Sequence, residues 1–208
     1  LKVTYSDYSI WQREWLRGEA LEKQLVYWKN KLDGIIDVIN LPNDRVRPKE
    51  LSYEGRRYSH KLNKTLSDKL REVARVEGVS LYMVLLSALQ VLLHKLSGDE
   101  DIVVGSPIAN RHYIEVENLI GYFANTIVMR GKVNSEKHFK KLLQEVKADT
   151  LESHNYQDIP FEQLVDSIGV ERQLNINPIF QIKQRTKQGT AVSVKQTTQN
   201  LGGIYFTN

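Results

Sequence analysis

Five histidines, His60, His94, His112, His138 and His154, are the only imidazoles in the 208-residue chain, and no two stand three or four residues apart. Metal ligands sharing one helical face need that spacing, so the sequence offers no metal centre. Cysteine is absent, which removes thiolate nucleophiles, thiolate metal sites and disulfides together. No serine lies in a Gly-x-Ser-x-Gly turn, and no glycine-rich turn leads into a Lys-Ser or Lys-Thr pair. His94 and His138 fall in expected helices, where a packed or solvated imidazole is the plain reading. The densest chemical cluster is "YSDYSIWQ", residues 5–12, with three aromatic rings around Asp7. A carboxylate there can order its own turn by accepting hydrogen bonds, or it can carry a proton; the first is common for Asp near a turn. Chain ends fray unless something ties them down, so aromatics at this place imply a surface to pack against and a chain that does not truly begin here.

Composition bounds the rest. With 41% hydrophobic and 26% charged residues, the chain reads as globular, of a length that suits one domain or one large lobe. No apolar run approaches the ~18 residues of a membrane span, and no leader pattern opens the sequence. Together with the missing cysteine this points to the cytoplasm, with no membrane partner. The 29 basic and 25 acidic side chains leave a charge of +4. That balance suits an acidic protein partner as well as nucleic acid. Its scattering among acids as far as Glu171 reads as ordinary solvated surface, so no nucleic-acid partner is expected.

The elements that must position these residues follow from periodicity. Tyr8, Trp11 and Trp15, then Leu21, Leu25, Trp28 and Leu32, step by three and four, which predicts two helices or one bent at Gly18. "LPNDRVRP", residues 41–48, forbids regular structure and reads as a crossing loop. A short strand is predicted over 58–62, then a helix capped by Thr65 or Ser67 and stopped by Gly78. Ser80 caps a helix whose apolar stripe is Leu81, Val84, Leu85, Ala88, Leu89, Leu92 and Leu96. "DIVVGSP", residues 101–107, reads as a central strand, and residues 125–133 as another. Ser135 is expected to cap a helix with Phe139, Leu142, Leu143, Val146 and Leu151 inward. Pro160 opens a last helix with Phe161, Leu164, Val165 and Ile168 on one face. "NPIFQI", residues 177–182, is the last strand expected. From Lys183 on, Gln, Thr and Lys dominate and little can be buried. Strands alternate with helices, so the fold class is α/β. Arg111, flanked by Glu115 and Glu117, is expected in an ion pair, and Gly121 suits a close backbone approach.

Five stretches in order, "YSDYSIWQ", "LPNDRVRP", "GSPIANRHYIEVENLIGYFANTIVMR" (105–130), "YQDIPFEQLV" (156–165) and "RQLNINPIFQ" (172–181), resemble the later motifs of condensation domains from nonribosomal peptide synthetases. The departures are Tyr156 where the family often has His, Gln173 where Asp is usual, Asn175-Ile176 where Ser-Arg is common, and the tail after Gln181.

The resemblance implies a chloramphenicol acetyltransferase-like α/β sandwich, one lobe of a two-lobed V. Residues 1–50 would be the inter-lobe helical segment and crossing loop, 51–182 the C-terminal lobe, and 183–208 an atypical, poorly packed tail. It also implies peptide-bond formation between acyl and aminoacyl thioesters. These would arrive on phosphopantetheine arms of carrier proteins, with an adenylation domain as neighbour and no cofactor bound by this chain. The family's His-His-x-x-x-Asp-Gly motif, whose second His handles the attacking amine, is absent from this sequence and would belong to a missing N-terminal lobe. No catalytic residue is therefore assigned, and the chain by itself is expected to be inactive. Asp7, Trp11, Tyr122 and Asn125 would border the substrate channel. Asn125 would orient a thioester or amide there, or cap a turn, and Trp11 and Trp15 would meet the other lobe or be plain helix core. Two other readings stay open: a non-catalytic module that docks carrier proteins, and a lobe of a stand-alone acyltransferase.

Overall fold

In the computed structural model, residues 3–36, 38–43, 57–169, 175–187, 191–196 and 203–207 are described. The aromatic steps of the N-terminal segment form two helices, α1 (Tyr5–Trp15) and α2 (Gly18–Leu32). Gly18 supplies the break, at a φ of +53° that other residues avoid. Residues 41–43 have no regular structure, and the rest of the expected crossing loop lies outside the described residues.

Then follow β1 (Arg57–Lys61), α3 (Lys64–Val76), α4 (Leu81–Ser97), β2 (Asp101–Ile108), β3 (Asn125–Lys132), α5 (Phe139–Asn155), α6 (Phe161–Ile168), β4 (Ile182–Lys187), β5 (Ala191–Gln196) and β6 (Gly203–Thr207). One sheet carries the order β1-β6-β5-β4-β2-β3. β2 runs antiparallel to β3 and parallel to β4, which puts it inside the sheet as expected. Helices α4, α5 and α6 lie against β2, β3 and β4, with α3 on α4 and α2 on α6. Between helices and strands sits the main core, with Trp28, Leu86, Ile102, Met129, Leu142, Leu164, Ile179 and Phe180 almost fully enclosed. Each such side chain contributes ~1.5–3 kcal/mol by leaving water.

Several elements differ from the sequence expectation, for physical reasons. The cap of α3 is Asn63, whose side chain accepts from Leu66 N, rather than Thr65 or Ser67. Ser80 does cap α4, accepting from Met83 N at 3.2 Å. The buried face of that helix, however, is Met83, Val84, Leu86, Ser87, Gln90, Leu93 and Ser97, while Ala88, Leu92 and Leu96 of the expected stripe are exposed. An α-helix apolar on every side has no unique phase in sequence. On the buried face Ser87 Oγ donates to Met83 O within the helix, and the Gln90 amide fills the space a Cβ on Gly131 would take.

Helix α5 starts at Phe139 with His138 before it and no side-chain cap, so Ser135 is outside it. Leu142, Leu143 and Val146 are buried as expected, but Phe139 and Leu151 are exposed. Residues 177–181 form no strand, because Asn177 Oδ1 accepts from the N–H groups of Ile179 and Phe180 and holds the chain in a turn. Pairing begins only at Ile182. The stretch 183–208, expected to pack little, supplies most of β4 and all of β5 and β6 to the sheet.

Candidate functional site

The segment between β2 and β3 is built on a polar frame. Asn110 is buried in the left-handed region, φ +53°, and its Oδ1 lies 2.7 Å from His112 Nε2. Arg111 turns inward. Its Nη1 donates to the carbonyls of Val116 (2.5 Å), Glu117 (3.2 Å) and Leu119 (2.8 Å), and its guanidinium stands 4.0 Å over the Phe123 ring. This replaces the expected ion pair with Glu115 or Glu117. The 3₁₀ turn Ile114–Val116 is too short to satisfy its own carbonyls, and a planar guanidinium collects them.

Helix α1 lies over this loop. Tyr8 packs on Phe123 with ring centroids 4.7 Å apart, and these two with Val116 and Leu119 make a small core separate from the main one. Burial pushes the Tyr8 hydroxyl above its ordinary pKa, with Asp158 and Tyr113 adding to the shift. Gly121 makes the close approach read from the sequence. A Cβ there would run into the Tyr5 ring, while Tyr5 OH donates to Tyr122 O at 2.9 Å.

Of the four residues assigned to a channel, three belong to this α1–loop module. Asp7 closes the start of α1. Its Oδ2 accepts from Thr4 N and Thr4 Oγ1 at 2.8 and 2.7 Å, and Asp7 N donates back to Thr4 Oγ1, a reciprocal cap. Those hydrogen bonds hold its carboxyl below the usual carboxylate range. Trp11 touches the rings of Tyr8, Trp15 and Tyr113 and stays half-exposed. The Tyr122 side chain is 80% exposed.

Asn125 is directed instead at residues 157–161. Its Nδ2 donates to Gln157 O (2.9 Å) and Ile159 O (2.8 Å), and its Oδ1 accepts from Thr126 N (2.8 Å) and Phe161 N (3.0 Å). Both donors and both lone pairs are therefore engaged by backbone.

Sequence reasoning passed over the neighbour of this brace. Asp158 Oδ2 accepts from Gln24 Nε2 at 2.8 Å, and Gln24 Oε1 accepts from Ile159 N at 3.2 Å. Asp158 Oδ1 lies 3.8 Å from His112 Nε2. Three distant segments meet here, and no local spacing announces that. The imidazoles of His94 and His154 are held to the carbonyls of Asp99 and Thr150. Among the described residues no three His, Asp or Glu side chains gather as metal ligands, and no single helix is long and apolar enough to cross a membrane. The arrangement is a braced scaffold that presents aromatic and apolar side chains.

The chain matches the family profile described as Condensation domain over residues 1–206. The match includes the tail that the sequence reading placed outside the resemblance. A linear gramicidin synthase polypeptide of Brevibacillus parabrevis is 46% identical over 182 residues, 88% of this chain and 4% of that protein. Among solved structures, the holo four-domain nonribosomal peptide synthetase AB3403 bound to AMP and glycine is 28% identical, with a TM-score of 0.79, covering 82% of this chain and 13% of that one. The X-domain from teicoplanin biosynthesis shares the fold at a TM-score of 0.82 and 24% identity, over 87% of this chain and 41% of that one. The expected α/β sandwich is thus the observed fold, and the chain belongs to the condensation-domain family.

Proposed function

We propose that this chain is the C-terminal lobe of a condensation domain that joins an acyl or peptidyl thioester to the amine of an aminoacyl thioester in nonribosomal peptide synthesis. The observation that carries this reading is the profile match over residues 1–206, with identity of 46% to a linear gramicidin synthase polypeptide. Carrier proteins bring both substrates on phosphopantetheine arms, and an adenylation domain is the neighbour in the assembly. The amine must lose a proton as it attacks, which calls for an imidazole that accepts or orients that proton. This sequence has no His-His pair, and His94, His112 and His154 each already have a local partner. That imidazole is supplied by the N-terminal lobe. Asp7, Trp11, Tyr122 and Asn125 then act as the near wall of the channel, Asn125 by holding the loop 157–161 rather than by meeting substrate.

The test replaces the aligned segment of the condensation domain in that linear gramicidin synthase with this chain and supplies donor-loaded and acceptor-loaded carriers. The graft is expected to form peptide and the isolated chain only background, since a base and positioning together contribute well over ~10² in rate. A folded graft that makes no peptide, or an isolated chain that does, overturns the reading.

A further inference from the structure

Among the described residues, three buried side-chain oxygens meet no hydrogen-bond partner in the protein: Tyr82 Oη, Gln90 Oε1 and Gln184 Oε1. A polar atom enclosed without a partner is costly, so each calls for an explanation. Gln90 is packed into the space that a Cβ on Gly131 would take, and protein fills its surroundings there. The other two oxygens belong to one place. Gly105 of β2 registers with Lys183 of the parallel strand β4, so the next residues, Ser106 and Gln184, stand side by side on the opposite face of the sheet. The Phe180 ring lies over Gly105, which leaves Ser106 and Gln184 turned toward α4. Gln184 is 0% exposed there, and its Nε2 reaches Tyr82 O only at 3.4 Å. The Tyr82 hydroxyl has Ser106 as its polar neighbour, again too far for a well-formed hydrogen bond. Both contacts are loose, which marks space between the start of α4 and the two strands. Turning the Gln184 amide over gives no remedy, since Oε1 would then face the Tyr82 carbonyl, acceptor against acceptor.

We infer that this place is an internal hydration site, where one water molecule bound by Tyr82 Oη, Ser106 Oγ and Gln184 Oε1 fastens the first turn of α4 to β2 and β4. Internal waters typically make ~3 hydrogen bonds to atoms of this kind. Here the water donates to Gln184 Oε1 and to one hydroxyl and accepts from the other. The chemistry selects water over an ion. A phenol, an alcohol and an amide carry no net charge, and Asp149, whose charge reaches the phenol, is already answered by Lys31. The position gives the site its effect. The β2-β3 pair joins the remaining strands at β4, and among the described residues Gly105 and Lys183 are the one registered pair across that seam. A bridging water, nearly as good as a direct hydrogen bond, adds a second tie there.

The test is made on the 208-residue chain itself, isotope-labelled, by NMR transfer of magnetisation from water to protein. The side-chain amide protons of Gln184 and the ring protons beside the Tyr82 hydroxyl are expected to show contact with a long-lived water. Its laboratory-frame and rotating-frame Overhauser effects have opposite signs, which separates it from proton exchange. No such contact at either residue overturns the inference. Oxygen-17 relaxation dispersion then counts the waters held inside the protein. Gln184→Met, which keeps the bulk of the side chain and removes its oxygen, is expected to lose about one of them. A folded Gln184→Met variant with the parent's count also overturns the inference. Should that variant fail to fold, the water contacts of the parent decide alone.

Discussion

At the scale of single residues, Asn125 shows how a side chain singled out for chemistry can be committed to architecture. Replacing it by Ala leaves Gln157 O, Ile159 O and the N–H of Phe161 short of partners. Ile159 is buried, so its unmet carbonyl alone costs ~1–3 kcal/mol, the other two groups add to that, and the expected result is a clearly lower melting temperature. Asn125→Asp keeps the acceptor but turns a carboxylate toward two carbonyls. It should be at least as harmful at neutral pH and recover partly as acid protonates it. An Ala variant that melts like the parent would instead leave Asn125 free for a role at the substrate. Gly121 makes a second case. Gly121→Ala drives a methyl into the Tyr5 ring and is expected to loosen α1, read as altered tryptophan fluorescence from Trp11 and Trp15. In a Tyr5→Ala background the same change should be nearly silent, because the space has been opened; additive losses would refute the contact.

At the scale of elements, α2 is fastened to α5 by a buried ionic knot. Lys31 Nζ lies 2.5 Å from Asp149 Oδ1 and 2.5 Å from Ser153 Oγ, over the rings of Tyr27 and Trp28. Burial pushes the lysine pKa down and the aspartate pKa up, while each charge favours the ionised form of the other. Arg130 extends the fastening, pairing with Asp101 and donating to the carbonyls of Lys31 and Asp33. Lys31→Met strands a buried carboxylate and is expected to cost about 3–5 kcal/mol, whereas Lys31→Met with Asp149→Leu should regain much of that loss. Denaturant titration of the parent and both variants measures it; a double variant no better than the single would show that the pair itself provides the stability.

Much of this layer was legible in sequence. Strict three-and-four spacing located α1, α2 and α6, and a β-branched run located β2. What failed did so where tertiary contact decides. For helix α4 the apolar stripe through Leu81, Leu85, Leu89 and Leu92 points to the wrong face, because they compete with a buried face that includes Ser87 and Gln90. The turn at Asn177 and the tail strands needed knowledge of side-chain capture and of distant sheet partners. In the site, Gly121 was legible from its local neighbours, but Arg111 was not, since its carbonyl partners come into reach only through the turn of its own loop, nor was the meeting of His112, Asp158 and Gln24, which lie on segments apart in the chain.

At the scale of the whole molecule, buried phenols tie stability to alkaline pH. Burial pushes the Tyr82 hydroxyl up to about 12 and Tyr27 further in the same direction, whereas an unfolded tyrosine ionises near ~10. A group whose folded pKa is raised contributes stability that is intact below the unfolded pKa and lost as pH rises through the folded one. Stability is therefore expected to hold to about pH 10 and to fall between there and about 12. Tyr82→Phe should flatten that fall in a pH series of denaturant melts. It should change little at neutral pH, because Ser106, the polar neighbour of the hydroxyl, holds it too loosely for a well-formed hydrogen bond. An unchanged slope would refute the assignment. Among the described residues, meanwhile, two clusters of buried side chains of unequal size stand apart, the large one between helices and sheet and the one of Tyr8, Val116, Leu119 and Phe123. A cluster of four side chains cannot match the opening free energy of the larger one. Amide deuteration of α1 and residues 110–124 is thus expected to run ahead of β2 and α5 by orders of magnitude, as a sub-global excursion in which the remainder of the lobe stays folded. The end of the protein formed by α1 and the loop between β2 and β3 would then be the first to come apart.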